Sequence, residues 1–293
     1  MSSSTVLASR AAVADWLELT KPRITAMVVF TALVGFATAG PGPLWTGLLA
    51  ATLAGTALVA AGASALNQVM ERDTDVLMLR TRTRPIPSGS IRPREARVFG
   101  GLLTAAGLGL LLWWAGPLAA AVAFLTWASY LFLYTPLKRR TPLATLVGAV
   151  PGALPPVIGW AAASASLNPG AFLLFAILFL WQVPHFLAIA WLYRDDYARA
   201  GFPTLPVLDR EGTFTARQAV VYCLALLFVS LAPFASGFAG PAYLAGAFLL
   251  GAALTLFALR LARGRDLVSA RRLFLASLLY LPALLSLLLA TRP

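Results

Sequence analysis

The sequence has few of the residues that form disulfides, metal clusters or acidic surfaces. Its 293 residues include one cysteine, one histidine and 11 acidic residues. The single cysteine, Cys223, excludes an internal disulfide and a cysteine-based metal cluster. Because Cys223 lies in an apolar run, we expect it to be a small packing residue. The first residues of the chain also lack the apolar core of a signal peptide.

Acidic residues are outnumbered by 23 Lys and Arg, which gives a net charge of +12. A basic balance of this size could indicate a nucleic-acid partner. Basic residues also collect in the cytoplasmic loops of membrane proteins, where they meet anionic lipid. The second explanation agrees with the high hydropathy of the chain. We therefore expect a lipid bilayer as the partner, and no nucleic acid.

Apolar residues are abundant, at 59% of the chain, and the mean hydropathy is +0.80. A soluble protein has roughly 45–50% apolar residues. Runs of about 20 apolar residues recur, and each is long enough to cross a bilayer as a helix. We predict an all-α polytopic membrane protein with nine transmembrane helices. The predicted spans are residues 24–42, 46–69, 97–115, 117–136, 143–163, 170–193, 217–237, 241–261 and 271–290.

Connections between the predicted spans alternate between charged and uncharged. The positive-inside rule places the charged connections and the N-terminus in the cytoplasm, and nine spans then leave the C-terminus outside. Glycine and alanine are frequent within the spans, which favours close helix packing in lipid. We expect prolines inside the spans to bend or break helices. These prolines are Pro151, Pro155, Pro156 and Pro184.

Only two polar connections are long, and they follow spans two and six. Their separation by four helices indicates two related halves. We therefore predict a cytoplasmic leader at residues 1–23 and a single membrane domain at residues 24–293. The domain would contain four-helix halves at about 24–136 and 143–261, followed by a ninth helix.

The first long connection begins with three oxygen-bearing side chains spaced four residues apart: Asn67, Glu71 and Asp75. On a helix this spacing keeps all three on one face. Arg80 and Arg84 follow, and guanidinium groups bind phosphate well. Oxygen ligands for Mg²⁺ beside arginines would form a diphosphate site. The alternative is a solvated helix end whose acids pair with the nearby arginines.

The second long connection, residues 193–206, follows span six as the first follows span two. Its Asp195 and Asp196 could provide a second contact to metal or phosphate. The alternative is a polar loop with local ion pairs. Further cations on the same side could contact phosphate, although each one alone could serve only as a topology determinant. These cations are Lys21, Arg23, Lys138 and Arg139.

Two further candidates lie deeper in the predicted membrane. His185, the only histidine, is an ionisable group at membrane depth and hence a candidate functional residue, although a hydrogen-bonded structural histidine is also common. Tyr130, Tyr134 and Trp181 could line a cavity and stabilise a cation with their ring faces. Packing, or a place in an interfacial aromatic belt, is the alternative for each ring.

Several of these motifs resemble the UbiA superfamily of intramembrane prenyltransferases. Within it, the Pro184–His185–Phe186 segment and the Asp196–Pro206 segment are similar to the branch that farnesylates haem. Two departures leave the number of bound metal ions open. Glu71 stands where the superfamily has Asp, and no aspartate lies four residues after Asp196. The remaining matches are residues 19–23, 67–85, 134–142, 155–160 and 181–182.

The resemblance implies a nine-helix fold around a central cavity that opens to the cytoplasm and to lipid. It also implies a reaction in which farnesyl diphosphate and haem b give haem O and diphosphate. Mg²⁺ would be held by the Asn67–Glu71–Asp75 face, with Asp195 and Asp196 as further ligands. Haem would be oriented by His185. Diphosphate contacts would come from Arg80, Arg84, Lys138 and Lys21 or Arg23, with Arg139 and Tyr134 as further binding residues.

Two other functions fit parts of the pattern. A prenyltransferase acting on an aromatic quinone precursor would need the same metal site but no haem. A secondary transporter would also have related halves and prolines in mid-span, but it should carry ionisable groups near the membrane midplane. Here nearly all the acids lie at one edge. We expect a bacterial plasma-membrane enzyme, with haem-handling or terminal-oxidase-assembly proteins as further partners.

Overall fold

The computed structural model describes residues 13–40 and 46–291, and those residues form helices and connecting loops without any strand. The first part of the predicted leader, residues 1–12, lies outside this description, as do residues 41–45. The helices are α1 (Val13–Leu19), α2 (Pro22–Thr38), α3 (Gly47–Asp75), α4 (Pro93–Ala115), α5 (Pro117–Leu137), α6 (Ala144–Ser164), α7 (Pro169–Leu192), α8 (Arg194–Arg199), α9 (Leu205–Leu208), α10 (Thr213–Ala235), α11 (Pro241–Gly264) and α12 (Leu267–Ala290).

Eight of the described helices are each long and apolar enough to cross a membrane, and a ninth span is possible if α1 and α2 form one bent span. The prediction of an all-helical, polytopic membrane protein is confirmed. The first span differs from the prediction, because it is straight only over α2. Helix α2 alone has 17 residues, and it meets α1 at an angle of 47°.

The bend between α1 and α2 occurs at Lys21, whose φ of 47° is in the left-handed region. Pro22 follows at the first position of α2, where its missing N–H costs no helical hydrogen bond. Helix α1 belongs to the packed structure, because Leu19 is fully buried against Ala65 and Val69 of α3. The last residues of the predicted leader therefore pack against the membrane domain.

Three spans are irregular: one is broken at its prolines and two contain a π-helical stretch. Helix α6 breaks at Leu154, between Ala153 and Pro155, as its prolines predict. Helices α4 and α5 each contain a π-helical stretch, at Leu111–Ala115 and Ser129–Tyr134. Such stretches are frequent at functional sites, and the second one leads directly into the charged connection after α5.

Glycines allow two pairs of helices to approach closely. A Cβ atom on Gly35 of α2 would overlap the carbonyl of Pro156 on α6, and one on Gly159 would overlap the carbonyl of Ala32. Gly62 of α3 and Gly107 of α4 have the same role between those helices. Small residues therefore set the interhelical distances, as expected for helices that pack in lipid.

The loop after α3 packs against the short helix α8 at one end of the bundle. Met78 is buried there against Ala200 and Phe202. The two long polar connections thus contact each other, although 117 residues of chain separate Leu79 from Asp196. Two of the candidate site residues, Arg80 and Asp196, lie at this contact.

Candidate active site

The last two turns of α3 place three oxygen-bearing side chains on one buried face. Asn67, Glu71 and Asp75 are 1%, 5% and 0% exposed. The predicted four-residue spacing therefore brings them onto one face, and that face is not solvated. The other part of the alternative, an acid paired with a nearby arginine, is present as Asp75–Arg84. Asn67 is held in place because its amide nitrogen donates a hydrogen bond to Thr135 Oγ1 at 3.1 Å.

Each of the three side chains is met by a cation from a different part of the chain. These cations come from the α1–α2 bend, the connection after α3 and the end of α5. Buried charge is tolerated only when it is paired in this way. The contacts are Lys21 Nζ to Asn67 Oδ1 at 3.2 Å, Arg84 Nη1 to Asp75 at 2.8 and 2.9 Å, and Lys138 Nζ to Glu71 Oε1 at 2.8 Å.

The Asp75–Arg84 pair folds the first loop back onto the helix that precedes it. One guanidinium nitrogen donates to both carboxylate oxygens. Thr81 Oγ1 also donates to the backbone oxygen of Asp75 at 2.8 Å. Arg84 is one of the predicted phosphate contacts. It lies beside the oxygen face, where it could also contact a phosphate bound next to Asp75.

Lys138 is held in its charged form by Glu71. Burial lowers its pKa, but the attraction of Glu71 outweighs this, so the pKa lies well above the ordinary value. The ammonium group also lies 4.8 Å from the ring centre of Tyr134, at cation–π distance. Lys138 is therefore a permanent positive charge at the edge of the oxygen face.

The second acidic loop reaches the same region through Asp196. Its carboxylate accepts hydrogen bonds from the backbone N–H groups of Leu79 and Arg80 at 3.3 and 3.4 Å. It is also paired with Arg199, one helical turn further along. Asp196 thus connects the two polar loops. A second contact to metal or phosphate was predicted for Asp196, but its hydrogen bonds to backbone amides of the first loop were not.

Three predicted site residues are not brought into this cluster. Asp195 has a side chain 87% exposed and pairs only loosely with Arg194, at 3.8 Å. Arg23 lies on the exposed face of α2. Arg139 is exposed and donates to the backbone oxygen of Met70 at 3.2 Å. These side chains lie around the site and do not contact its oxygen face.

Arg80 lies at the junction of the two loops. Its guanidinium group stacks over the ring of Tyr193, 4.9 Å from the centre, and is 3.5 Å from the hydroxyl of Tyr197. No carboxylate pairs with this guanidinium group among the described residues. It is therefore available to an anion that binds between the loops.

An open cleft begins beside Lys138. Its walls come from the residues after α5, from α7 and from the second loop, and its empty volume is about 510 Å³, part of it open to the surface. Its polar lining residues are Tyr134, Lys138, Thr141, Thr145, Tyr197 and Thr204. A cleft of this kind suits an amphiphile with a charged head. Its apolar lining includes Pro142, Ala144, Phe186, Ile189, Ala190 and Phe202.

His185 lies on α7, about two turns from the charged end. Its Nδ1 is 2.8 Å from Ser277 Oγ on α12, and its ring stacks on Trp181 with 4.8 Å between ring centres. Trp181 in turn donates from its indole nitrogen to the backbone oxygen of Ser277. His185 is thus separate from the oxygen face, as its place in the sequence predicts.

Two residues with clear structural roles were missed by sequence reasoning. Thr135 orients Asn67, and Ser277 contacts His185. Neither carries a signal that a single sequence reveals, because each acts on a residue at least 68 positions away. Short polar residues within apolar spans are the only indication, and many such residues bond only to their own helix.

The cluster carries more positive than negative charge. Lys21, Arg80, Arg84, Lys138 and Arg199 lie around the carboxylates of Glu71, Asp75 and Asp196. Among the described residues, no three acidic, histidine or cysteine side chains lie close enough together to hold a metal ion unaided. The α3 face nevertheless presents the carboxylates of Glu71 and Asp75 and the amide oxygen of Asn67. These are the hard oxygen ligands that suit Mg²⁺ together with a phosphate.

Comparison with known sequences identifies the family. A model described as "UbiA prenyltransferase family" matches residues 28–285. The chain belongs to the UbiA prenyltransferase family. It is 47% identical to a protoheme IX farnesyltransferase from Solibacter usitatus, over 95% of this chain and 99% of the relative. It is 44% identical to one from Opitutus terrae, over 99% and 98%.

Solved structures share the UbiA fold at low sequence identity. A digeranylgeranylglyceryl phosphate synthase superposes with a TM-score of 0.78 at 16% identity, covering 96% of this chain and 98% of that one. A UbiA homologue from Archaeoglobus fulgidus, bound to GPP and Mg²⁺, superposes with a TM-score of 0.65 at 15% identity, covering 94% and 99%. The predicted family, its haem-farnesylating branch and the membrane fold are confirmed by these comparisons.

Proposed function

We propose that this UbiA-family enzyme transfers a farnesyl group from farnesyl diphosphate to a vinyl group of haem b, which gives haem O and diphosphate. The observation that carries the proposal is the buried oxygen face with its surplus of cations, which Lys138 connects to a partly apolar cleft. The relatives named as protoheme IX farnesyltransferases supply the acceptor.

The cations of the site bind the diphosphate and stabilise the charge that develops on it. Lys138 lines the cleft, and Arg80 is 3.5 Å from the hydroxyl of Tyr197 in its wall. Arg84 and Lys21 contact the oxygen face. As the bond between C1 of the farnesyl group and oxygen breaks, negative charge moves onto the leaving diphosphate. Groups fixed in advance around that charge lower the barrier to bond breaking.

The face formed by Asn67, Glu71 and Asp75 would hold Mg²⁺, with Asp196 nearby. When bound, the metal neutralises diphosphate charge. A metal ion and the diphosphate would share this face with Lys21, Arg84 and Lys138, each of which now contacts one of the three side chains. Thr135 fixes the amide of Asn67 by accepting from its nitrogen, and the amide oxygen accepts from Lys21.

The apolar walls of the cleft hold the farnesyl chain and exclude water from the allylic cation. The ring of Tyr134 lines the cleft and lies beside Lys138, and the ring of Tyr130 packs against Tyr134 with 5.6 Å between ring centres. A haem vinyl group attacks C1 of the farnesyl cation, and water then adds to the resulting cation as a hydroxyl group. One proton is released from that water, which balances the reaction.

The enzyme acts in the bacterial plasma membrane, with both long polar loops in the cytoplasm. The support for this orientation is the concentration of basic residues in the loops that meet at the site. Haem-handling proteins or proteins of terminal-oxidase assembly are the expected partners, because they would deliver haem b or take up haem O.

Incubation of the purified protein with haem b, farnesyl diphosphate and Mg²⁺, followed by mass spectrometry, tests the proposal. We expect haem O and diphosphate. A parallel reaction replaces haem b with an aromatic quinone precursor. Prenylation of that acceptor, together with no haem O, would contradict the proposed acceptor while keeping the enzyme class.

A further inference from the structure

The side chains that line the cleft beside Lys138 include five hydroxyl groups and one ammonium group, and no carboxylate among the described residues. The charge of the ammonium group is matched by Glu71 at 2.8 Å. The lining is therefore close to neutral but rich in groups that can donate hydrogen bonds. Three of the hydroxyls have no role in the reaction as described above, and they belong to Thr141, Thr145 and Thr204.

Thr204 has a buried hydroxyl oxygen without a hydrogen-bond partner among the described residues. The residue directly precedes α9, where a threonine side chain commonly accepts a hydrogen bond from the first turn of the helix. The side chain of Thr204 makes no such bond. The N–H groups of Val207 and Leu208 donate instead to its backbone oxygen, at 2.9 and 3.2 Å. Because an unpaired buried hydroxyl is costly, a ligand of the cleft is the partner that this group lacks.

Thr145 and Thr141 also keep their hydroxyl hydrogens free of protein acceptors. Thr145 is half-buried in the first turn of α6, and its hydroxyl bonds to no described residue. Thr141 Oγ1 accepts from the N–H of Leu143 at 3.3 Å and donates to none of the described residues. Helical threonines outside the cleft commonly donate to the carbonyl oxygen four residues earlier, as do Thr38, Thr52, Thr104, Thr126 and Thr255.

A lining of this kind suits an oxygen-bearing group with a single negative charge. Hydroxyl groups donate hydrogen bonds but bring no positive charge to offset several negative ones. A diphosphate carries several negative charges, and cations such as Arg84 and Lys21 contact the oxygen face instead. A carboxylate carries one charge, and its two oxygens offer about four sites for hydrogen-bond donors. Haem b has two such groups, its propionates, on the edge of the macrocycle opposite the vinyl groups.

We propose that Thr141, Thr145 and Thr204 form a carboxylate subsite for the acceptor, in which their hydroxyls donate hydrogen bonds to a propionate of haem b. The proposal rests on the proposed function, because haem b is the acceptor in that reaction. A propionate held there turns the vinyl edge of the macrocycle away from the threonines. The three hydroxyls are thus binding residues that determine which edge of the acceptor meets the farnesyl group.

Haem b and its dimethyl ester are the probes, because they differ only in the charge and methylation of the propionates. Absorption titrations of the protein in lipid nanodiscs, without a prenyl donor, measure both affinities independently of turnover. We expect the wild-type protein to bind haem b about tenfold more tightly than the ester, since the ester lacks the charged acceptor of the hydrogen bonds. Equal affinities would overturn the proposal.

Thr145→Val removes the hydroxyl and keeps nearly the same side-chain shape. Its affinity for haem b should fall about tenfold, and its affinity for the ester should not change, because the charged partner is already missing there. Thr145→Ser should keep the wild-type preference. Thr204→Val should behave like Thr145→Val, and it tests the subsite if Thr145→Val does not fold. Equal losses for haem b and for the ester would show a purely structural role and overturn the proposal.

Thr126→Val is the matched control for Thr145→Val. Thr126 is also a half-buried helical threonine, but its hydroxyl donates to the backbone oxygen of Val122 at 2.7 Å and it does not line the cleft. Its affinities for haem b and for the ester should match those of the wild type. A loss of the preference for haem b as large as that in Thr145→Val would contradict the assignment of the subsite to the cleft.

Two further results separate this proposal from its neighbours. Binding of farnesyl thiolodiphosphate, an unreactive donor analogue, should be unchanged in Thr145→Val and Thr204→Val. A loss confined to this analogue would assign the hydroxyls to the diphosphate and overturn the proposal. Haem O made equally well from haem b and, as its ester, from the dimethyl ester would overturn the carboxylate subsite alone. No prenylated haem and no haem binding would contradict the proposed function as well.

Discussion

The two acidic loops occupy matched places in the chain but have different surroundings. After α3, Glu71 and Asp75 are buried, and each pairs with a cation from another segment. After α7, Asp195 is solvated, while Asp196 accepts hydrogen bonds from the backbone of the first loop. The first loop therefore has the character of a ligand site. The second has the character of a support that holds the first in position.

The largest stability effect should come from Lys138→Met. This change leaves the buried carboxylate of Glu71 without its partner, which costs on the order of 3 kcal/mol in the free energy of unfolding. We expect a lower melting temperature in detergent and weaker binding of farnesyl diphosphate. Arg139→Met is the control, because Arg139 is exposed and bonds only a backbone oxygen. Equal destabilisation by the two variants would contradict the role of the Glu71–Lys138 pair.

A moderate effect should come from Asp196→Asn. The amide retains one acceptor oxygen but presents an N–H group where Leu79 or Arg80 now donates, at a cost of about 1–2 kcal/mol. Hydrogen exchange should become faster across residues 76–92, and KM for farnesyl diphosphate should rise more than kcat falls. Unchanged exchange in that segment would contradict the supporting role of the second loop.

The Glu71–Lys138 pair should also affect how the melting temperature depends on pH in alkaline solution. The folded-state pKa of Lys138 is raised above the ordinary value of 10.5 by Glu71, although burial opposes the rise. Its contribution is therefore fully present below about pH 10 and is lost as the pH rises through the folded pKa. The difference in melting temperature between wild type and Lys138→Met should stay constant from pH 7 to about pH 9. A difference that disappears within that window would contradict the assigned direction.

The smallest effect should come from Asp195→Asn, because the side chain is solvated and its contact with Arg194 is long. Stability should change by less than about 0.5 kcal/mol, and turnover should remain at the wild-type level. A large loss of turnover would give the second loop a direct role in the reaction. The distinction between ligand site and support would then fail.

The fold and the first loop were predictable because their signals are local. Hydropathy gives the spans, and the four-residue spacing of Asn67, Glu71 and Asp75 gives a shared helix face. The bend at Lys21 was missed, since a left-handed lysine before proline resembles an ordinary helix start in sequence. The division of roles between Asp195 and Asp196 was also missed, because it depends on which carboxylate meets the amides of residues 79 and 80.

Turnover of Asp75→Asn, compared with Asp73→Asn, tests the central claim most directly. Both variants remove one carboxylate from the same turn of α3, but Asp75 is buried against Arg84 while Asp73 is exposed beside Arg72. We expect a loss in kcat of at least about 10²-fold for Asp75→Asn, in protein that remains folded by thermal melting, and no loss for Asp73→Asn. Wild-type turnover in folded Asp75→Asn would contradict the assignment of the α3 face as the diphosphate and metal site.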